Sequence, residues 1–526
     1  MVRLTSFSRI FALLSLACVI SPVVAKAGPI DARLRSRSSL SSIPSACSVE
    51  ETTKGSETNS WSRLKQALNW NSFQIPILSS FSPSKVDDEC SIGSLSSEHP
   101  SASDIDLSAQ YEDQIVLRFI YQTPEDRAAF SKATNSLSLD VWANTQKMGD
   151  VRLPRNRINH LLKMLPKRMR SSDSYAELIT DVQLAVHNTY PIDKNDDITL
   201  FSSLSAPKDD RDAFIASLGE IFFGDYRSLD AIYNWLDLLA EAFPTFVSVS
   251  SIGQTAEGRD IKVVHVHVVP DQKAKKTILV TGGIHAREWI SVSSVCYSLY
   301  QLIVRYGRSN HITNYLDNLN FEFIPVMNPD GYVYSWESDR LWRKNRQQTG
   351  LPFCSGIDID YSFDFQWSQS RGTPCSEAYA GTEPFQALEA FHLANFVNQT
   401  TDRLHGFLDW HAYSQEVLFP YSYSCESQPR DLENLQELAY GMAKAIRLTS
   451  GKHYDVFSAC LDSENINPGG SALDYMYHKK AIWAFQVKLR DTGNYGFSLP
   501  RKYIIPTGKE MFSSVRYFCD FVLNPS

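Results

Sequence analysis

Apolar positions are spread unevenly along the chain, in three successive textures. The first is a nearly continuous apolar run from Ile10 to Val24, preceded by Arg3 and Arg9 and followed by the small residues Ala25 and Ala27. A charged start, an apolar middle and a small-residue exit predict a cleaved secretory leader over 1–27. Ser15, Ser21 and Pro22 interrupt the run, which argues against a permanent membrane anchor. Residues 28–107 are rich in serine, carry Arg33, Arg35 and Arg37 near their start and show no sustained apolar period. A mostly disordered linker is expected there. From Tyr111 periodicity sets in. Gln114–Tyr121 alternates and is β-branched, as a strand does. Thr123–Asn135 predicts a helix opening on Thr-Pro-Glu, Ser138–Trp142 and Asp150–Leu153 two strands, Asn156–Leu165 a helix, and Tyr175–Val186 a strand and a helix. Together they predict a small α+β domain over 108–190.

After a connecting segment, 191–221, the third texture fills 222–526. Apolar strand runs at Lys262–Val269, Thr277–Val280, Phe321–Val326, Gly406–His411 and Ala481–Leu489 alternate with helical periods at Ile290–Tyr306, Pro384–Val397 and Asn434–Thr449. Helices between buried strands predict an α/β fold: a mixed, mostly parallel twisted sheet covered by helices on both faces. The 526 residues suggest two to four domains, and 43% hydrophobic with 12% aromatic residues is ample for a large core. A formal net charge of −8 argues against a nucleic-acid binder, which needs a basic face for phosphates.

A secretory route changes how the nine cysteines are read. Cys18 leaves with the leader, and Cys47, Cys90, Cys296, Cys354, Cys375, Cys425, Cys460 and Cys519 remain. They are compatible with disulfides, but sequence leaves the pairing open, and Cys296 in its apolar helical stretch reads equally as a buried free thiol. Asn398-Gln399-Thr400 is a glycosylation sequon.

The candidate chemistry begins at Gly282–Trp289, GGIHAREW. His285 and Glu288 lie three residues apart just after a strand, where open α/β sheets place their ligands, and both are zinc-ligand types. His411 ends another expected strand. In this setting the chain resembles the zinc carboxypeptidases of the A/B type. The resemblance rests on GGIHAREWI, Asn328–Tyr332 (NPDGY), Arg340–Arg346 (RLWRKNR), Pro374–Tyr379 (PCSEAY), Asp409–Gln415 (DWHAYSQ) and Leu489–Phe497 (LRDTGNYGF). Residues from about 110 to 190 are similar to the family's propeptide, an antiparallel α+β domain that caps the active site. The resemblance implies one Zn²⁺ per chain held by His285, Glu288 and His411, with Asp358 orienting the first histidine. It implies an oxyanion-stabilising role for Arg343, an outer-subsite role for Arg287, substrate contacts at Ala412 and Tyr413, and a Cys354–Cys375 disulfide. A Cys425–Cys460 pairing has no family motif behind it.

The family pattern breaks at the reacting centre. The glutamate that takes a proton from zinc-bound water is replaced by Lys488. The Asn-Arg pair that clamps the substrate carboxylate is replaced by Asp360-Tyr361, and Leu461–Gly470 has no counterpart of the pocket tyrosine. A neighbouring dication and partial burial would favour a neutral Lys488 amine able to act as a base. The expectation is nonetheless a non-hydrolytic pseudo-enzyme, similar to a fungal subgroup of inactive carboxypeptidase-like proteins linked to cell-wall organisation and biogenesis. The alternative is an active carboxypeptidase with a rewired general base. The expected partner is a peptide or protein, the expected state a monomer, and the expected location secreted or vacuolar. Ala472 or Leu473 is expected on an apolar pocket floor. Lys167-Arg168 reads either as a dibasic cleavage site or as a basic helix end.

Overall fold

The computed structural model describes residues 107–191, 211–268, 275–369, 372–400, 404–462 and 469–524. The expected leader, nearly all of the serine-rich segment with Cys47 and Cys90, and 192–210 of the connecting segment lie outside the described residues. All described residues belong to one of two compact units, Ala67–Ser526.

The first domain is built on a four-stranded antiparallel sheet: β1 (Gln114–Ile120), β2 (Asp140–Asn144), β3 (Met148–Pro154) and β4 (Tyr175–Ile179), in the order β2-β3-β1-β4. Alternation puts Ile115, Leu117 and Phe119 of β1 and Val151 and Leu153 of β3 on one face, where Phe130 and Ala133 of the helix Pro124–Ser136 and Leu161 of the helix Ile158–Met164 close the core. The first of these helices starts as its sequence predicts. Thr123 and Asp126 form a reciprocal capping box and Pro124 occupies the first turn. The other face carries Arg118, Asp140, Asp150 and Arg152, all at most partly exposed. Such a charged yet buried face requires a partner, and the second domain provides it.

The second domain is an eight-stranded mixed sheet of β5 (Val247–Gln254), β6 (Asp260–Val266), β7 (Lys276–Gly282), β8 (Leu319–Ile324), β9 (Leu404–His411), β10 (Glu416–Phe419), β11 (Asp455–Ser458) and β12 (Trp483–Lys488), ordered β11-β10-β12-β9-β7-β8-β6-β5. The central β8, β7, β9 and β12 run parallel, while β6 and β10 are antiparallel to their central neighbours. Every residue from Thr277 to Gly282 and from Gly406 to His411 is buried, as strands covered on both faces require. The helices Trp289–Arg305, Leu432–Ser450 and Ile504–Leu523 pack together as one layer. Helix Leu388–Thr400 packs on β5, and Ala472–Lys479 on β12 and β9. Gly406 allows helix Ile504–Leu523 to approach β9 closely: a Cβ there would stand 2.5 Å from the Phe518 ring.

Several elements exceed the periodic reading. Helix Ile504–Leu523 contains Pro506 and Gly508, which look like breakers, but Pro506 sits in the first turn, where its missing N–H costs nothing. β5 is a half-exposed edge strand rich in serine, and β10 and β11 have four residues each, too few to show a period. The helix expected from Pro384 begins at Leu388, because Phe385 takes a left-handed φ of 59°. The helix Arg211–Phe222 crosses the expected boundary at 222, and Phe222 stacks on Trp235 at 4.1 Å.

One buried carboxyl ties the sheet's cover to the loop that carries Asn345. Glu389 is fully buried, and its Oε2 accepts from Asn345 Nδ2 at 2.8 Å. Burial pushes its carboxyl up from 4.5 to about 7, although the Asn345 contact opposes the shift. Between these two values the folded chain holds a proton that the unfolded chain has lost, so stability falls as pH rises through that window and levels off above it. A shift from 4.5 to about 7 corresponds to about 3 kcal/mol. Glu389→Gln is therefore expected to be more favourable, relative to wild type, at pH 8 than at pH 4.5. Urea unfolding at both pH values measures this, and a pH-independent difference would contradict it.

Candidate metal centre and its cover

The centre is assembled at the C-terminal ends of β7 and β9. β7 ends at Gly282, and the next residue, Gly283, turns at φ +64°, where a Cβ would meet Val292 at 2.7 Å and the Pro325 carbonyl at 3.2 Å. The turn delivers His285 and Glu288 just before the buried helix Trp289–Arg305, and His411 ends β9 next to it. Asn328 of NPDGY braces the turn by donating to the carbonyls of Ile284 and Lys344 at 3.2 and 3.1 Å.

His285, Glu288 and His411 converge, all buried. His285 Nδ1 is 2.9 Å from Glu288 Oε1, His411 Nδ1 is 3.3 Å from Glu288 Oε2, and the two Nδ1 atoms are 3.3 Å apart. A tetrahedral zinc with bonds near 2.05 Å separates its ligand atoms by about 3.3 Å, so the triangle has the size of one face of such a site. The outer nitrogens are tied elsewhere: His285 Nε2 lies 3.1 Å from Asp358 Oδ1, and His411 Nε2 lies 3.0 Å from Asp409 Oδ2. With those N–H groups donated to carboxylates, both Nδ1 lone pairs point at each other and at Glu288, an arrangement a cation would stabilise. Burial pushes the Glu288 carboxyl up, but positive charge on His285 and His411 outweighs it and holds it well below the usual range; a cation in the triangle takes that role when the imidazoles are neutral. Asp358 is held low in the same way, against burial, by Arg343 and His285.

The other expected site residues are distributed around this triangle. Arg343 donates from Nε and a terminal nitrogen to Asp358 Oδ2 at 3.1 and 3.0 Å. The backbone N–H of Ala412 donates to Glu288 Oε2 at 2.9 Å. Asp360 is turned inward: its carboxylate accepts from the Ala472 N–H at 3.1 Å and from Gln486 Nε2 at 3.3 Å, so it is not aimed at an incoming carboxylate. Tyr361 is half-buried in the short turn Ile359–Tyr361. Ala472 and Leu473 are buried, and 463–468 of the loop searched for a pocket tyrosine lies outside the described residues. Asn398 is exposed in the last turn of helix Leu388–Thr400. Disulfides join Cys354 to Cys375 and Cys425 to Cys460, while Cys296 and Cys519 are buried free thiols. The two disulfides fit an oxidising, secretory compartment. Among the described residues no helix is long and apolar enough to cross a membrane.

Lys488 extends from the end of β12 on the side of the strand that carries Gln486, whose Nε2 is 3.0 Å from His411 Nε2. Its ammonium forms an ion pair with Asp462 and lies 3.9 Å from Glu416 Oε2. The neutral amine considered from sequence is therefore disfavoured: a nitrogen engaged as a charged donor has no lone pair for a water. The sequence reading missed three groups here. Asp409 could have been found, because it lies two residues before His411 and so on the same face of β9. Glu416 reaches Lys488 only through the antiparallel register of β10 on β12, and Asp462 only through the fold.

The first domain sits on this centre. Arg287 donates to Asp140 Oδ1 at 3.0 Å, and its guanidinium lies 4.0 Å above the Phe497 ring. The Tyr413 hydroxyl donates to Asp150 Oδ2 at 2.7 Å, and Asp150 also receives Arg118 at 2.7 and 2.6 Å. Trp142 meets Phe497 edge-on at 5.0 Å and Tyr413 at 6.3 Å. Buried carboxylates of the small sheet are thus matched by Arg287 and Tyr413, two of the residues expected to contact substrate.

This fold and centre are those of a metallocarboxypeptidase. Residues 232–514 match the Peptidase_M14 family, described as zinc carboxypeptidase, and the chain belongs to that family. It is 47% identical over 427 residues to the inactive metallocarboxypeptidase ECM14 of Saccharomyces cerevisiae, covering 80% of this chain and 94% of that protein. It is 44% identical to the protein of the same name from Sclerotinia sclerotiorum, covering 79% and 74%. Among solved structures it resembles thrombin activatable fibrinolysis inhibitor, with a TM-score of 0.66 and 26% identity over 79% of this chain and all of that one. A carboxypeptidase A from Helicoverpa armigera shares the fold, with a TM-score of 0.66 and 22% identity over 78% and 98%.

Asp150 links the two domains most directly. Asp150→Ala is expected to lower stability by about 3 kcal/mol, because it leaves the largely buried Arg118 without its carboxylate. It should also speed hydrogen exchange in β2, β3 and the segment after His411. Denaturant unfolding with exchange mass spectrometry measures both effects. A loss below about 0.5 kcal/mol would mean that apolar contact alone holds the cover.

Proposed function

We propose that the chain is a zinc-binding pseudo-enzyme that holds one Zn²⁺ on His285, Glu288 and His411 and does not hydrolyse peptides. Zinc supplies Lewis acidity to a bound carbonyl or water in this class of site. The residues that would turn that acidity into hydrolysis are altered. The observation that carries the reading is the ion pair of Lys488 with Asp462, with Glu416 beside it. It holds an ammonium where a proton acceptor is needed. Tyr361 in place of a carboxylate-clamping arginine weakens substrate positioning as well. Relatives named as inactive metallocarboxypeptidases agree with this reading.

The proposed role is capture of a peptide or protein in cell-wall organisation, by a secreted or vacuolar monomer glycosylated at Asn398. The covered state of Arg287 and Tyr413 means that such a partner must displace the first domain to reach them. A peptide-release assay on zinc-loaded protein freed of residues before 211 is expected to show no turnover. Release of C-terminal residues that chelation abolishes would instead establish a carboxypeptidase with a rewired base. Lys488→Glu alone is expected to restore little, because Tyr361 remains; strong rescue by that single change would refute the assigned role of Tyr361.

Metal removal gives a separate measure. With free zinc about 1,000-fold above its dissociation constant, linkage stabilises the folded state by about 4 kcal/mol. Chelation should therefore lower the melting temperature of wild type, and His411→Ala should abolish that component of the shift. An identical response to chelation in both proteins would remove zinc from this centre.

A further inference from the structure

A second cluster of metal-type side chains lies away from the centre, on β6 and β8. Alternation puts His265 of β6 and His267, the residue just past its end, on one side, and register pairs His265 with Glu322 of β8. Val264 and Val266 point the other way, paired with Phe323 and Phe321, whose rings stack at 5.9 Å. Glu322 is only 4% exposed in a strand that is otherwise largely apolar. A carboxylate so placed needs compensation. His267 Nε2 provides part of it, 3.0 Å from Glu322 Oε1.

The second oxygen is different. Glu322 Oε2 is buried and has no hydrogen bond of normal geometry; its close neighbour is His265 Nδ1, 2.6 Å away, and what passes between them depends on which ring nitrogen carries the proton. The far side of the same ring is engaged, with Nε2 2.7 Å from Ser250 Oγ. When Nε2 carries the proton and donates it to Ser250, Nδ1 turns a lone pair toward a carboxylate oxygen. Two lone pairs at that distance repel unless a cation lies beside them. Ser250 then fixes the tautomer and ring angle, as partners of metal-bound imidazoles do. The three side chains each offer one ligand atom, all within 4.8 Å of one another. The imidazoles are 20% and 33% exposed, which leaves an approach from solvent and positions for water.

We propose that His265, His267 and Glu322 form a second divalent-metal site. Two imidazoles and one carboxylate suit zinc or a similar borderline transition cation better than calcium or magnesium, which take all-oxygen shells. A metal here bridges β6 to β8 and fastens the antiparallel edge of the sheet to β8, the strand next to β7 and the turn that bears His285. Nothing in this site is shared with the first centre, so the two are separable by experiment.

The test is a titration of tag-free, metal-stripped full-length protein with Zn²⁺ alone, by calorimetry, with bound metal counted after gel filtration. Wild type is expected to bind two equivalents. His267→Ala and His267→Gln, changes at a one-third exposed position, are each expected to bind one. His411→Ala is expected to lose the other equivalent and keep this one. Two equivalents retained in both His267 variants would overturn the proposal, as would a wild type whose only equivalent survives in them; the cluster is then a plain imidazole–carboxylate ion pair. A single wild-type equivalent that disappears in the His267 variants and persists in His411→Ala would uphold this site and refute zinc at the first.

Discussion

A buried carboxylate facing two imidazole lone pairs is the constraint around which the second domain is arranged. Glu288 is buried, and its charge is tolerable only with positive charge between it and the imidazoles, from a cation they hold or from a proton on them, and with the Ala412 N–H as a donor. Each imidazole is fixed in turn by an aspartate on its outer nitrogen, and Thr281 Oγ1 donates to Asp409 at 2.6 Å. Arg343 does the same for Asp358. The result is a nested polar network in which each buried charge has a partner of opposite sign or a donor. Its position follows from the sheet, because the C-terminal ends of adjacent parallel strands bring β7 and β9 together.

The same rule explains why a lysine is stable at position 488. An ammonium near a metal centre is costly unless an anion accompanies it, and Asp462 provides it, with the Glu416 carboxyl 3.9 Å away. Burial and Asp462 push the Glu416 carboxyl well up, against the pull of Lys488. The lysine is thus part of a local acidic network, and the change at 488 is a rebuilding of the wall of the site. That wall keeps the ligand set intact while removing the free acceptor that hydrolysis requires.

The covering domain obeys the rule as well. Its sheet has one apolar face, closed by its own helices, and one charged face that only the second domain can satisfy. Asp140 and Asp150 find Arg287 and Tyr413, and Trp142 packs against the contacting rings of Tyr413 and Phe497. Cover and site are therefore linked by electrostatics as much as by shape.

Much of this was legible in the chain. Period-two and helical patterning located the central strands β7, β8, β9 and β12 and the helices Trp289–Arg305 and Leu432–Ser450, because strands buried on both faces must be continuously apolar. Local spacing also presented His285, Glu288 and His411, since ligand residues follow strand ends. Short or half-exposed elements such as β5, β10 and β11 escaped, having too few buried positions to leave a period. The ion pairs of Lys488, the inward turn of Asp360 and the contacts of Asp140 and Asp150 were decided by tertiary structure alone. Their partners are remote in sequence, and the identity of a charged residue does not say which opposite charge the fold will bring within reach. The sequence by itself determined which metal-binding side chains are present and which proton acceptor is missing; the packing of distant strands decided what each of them faces.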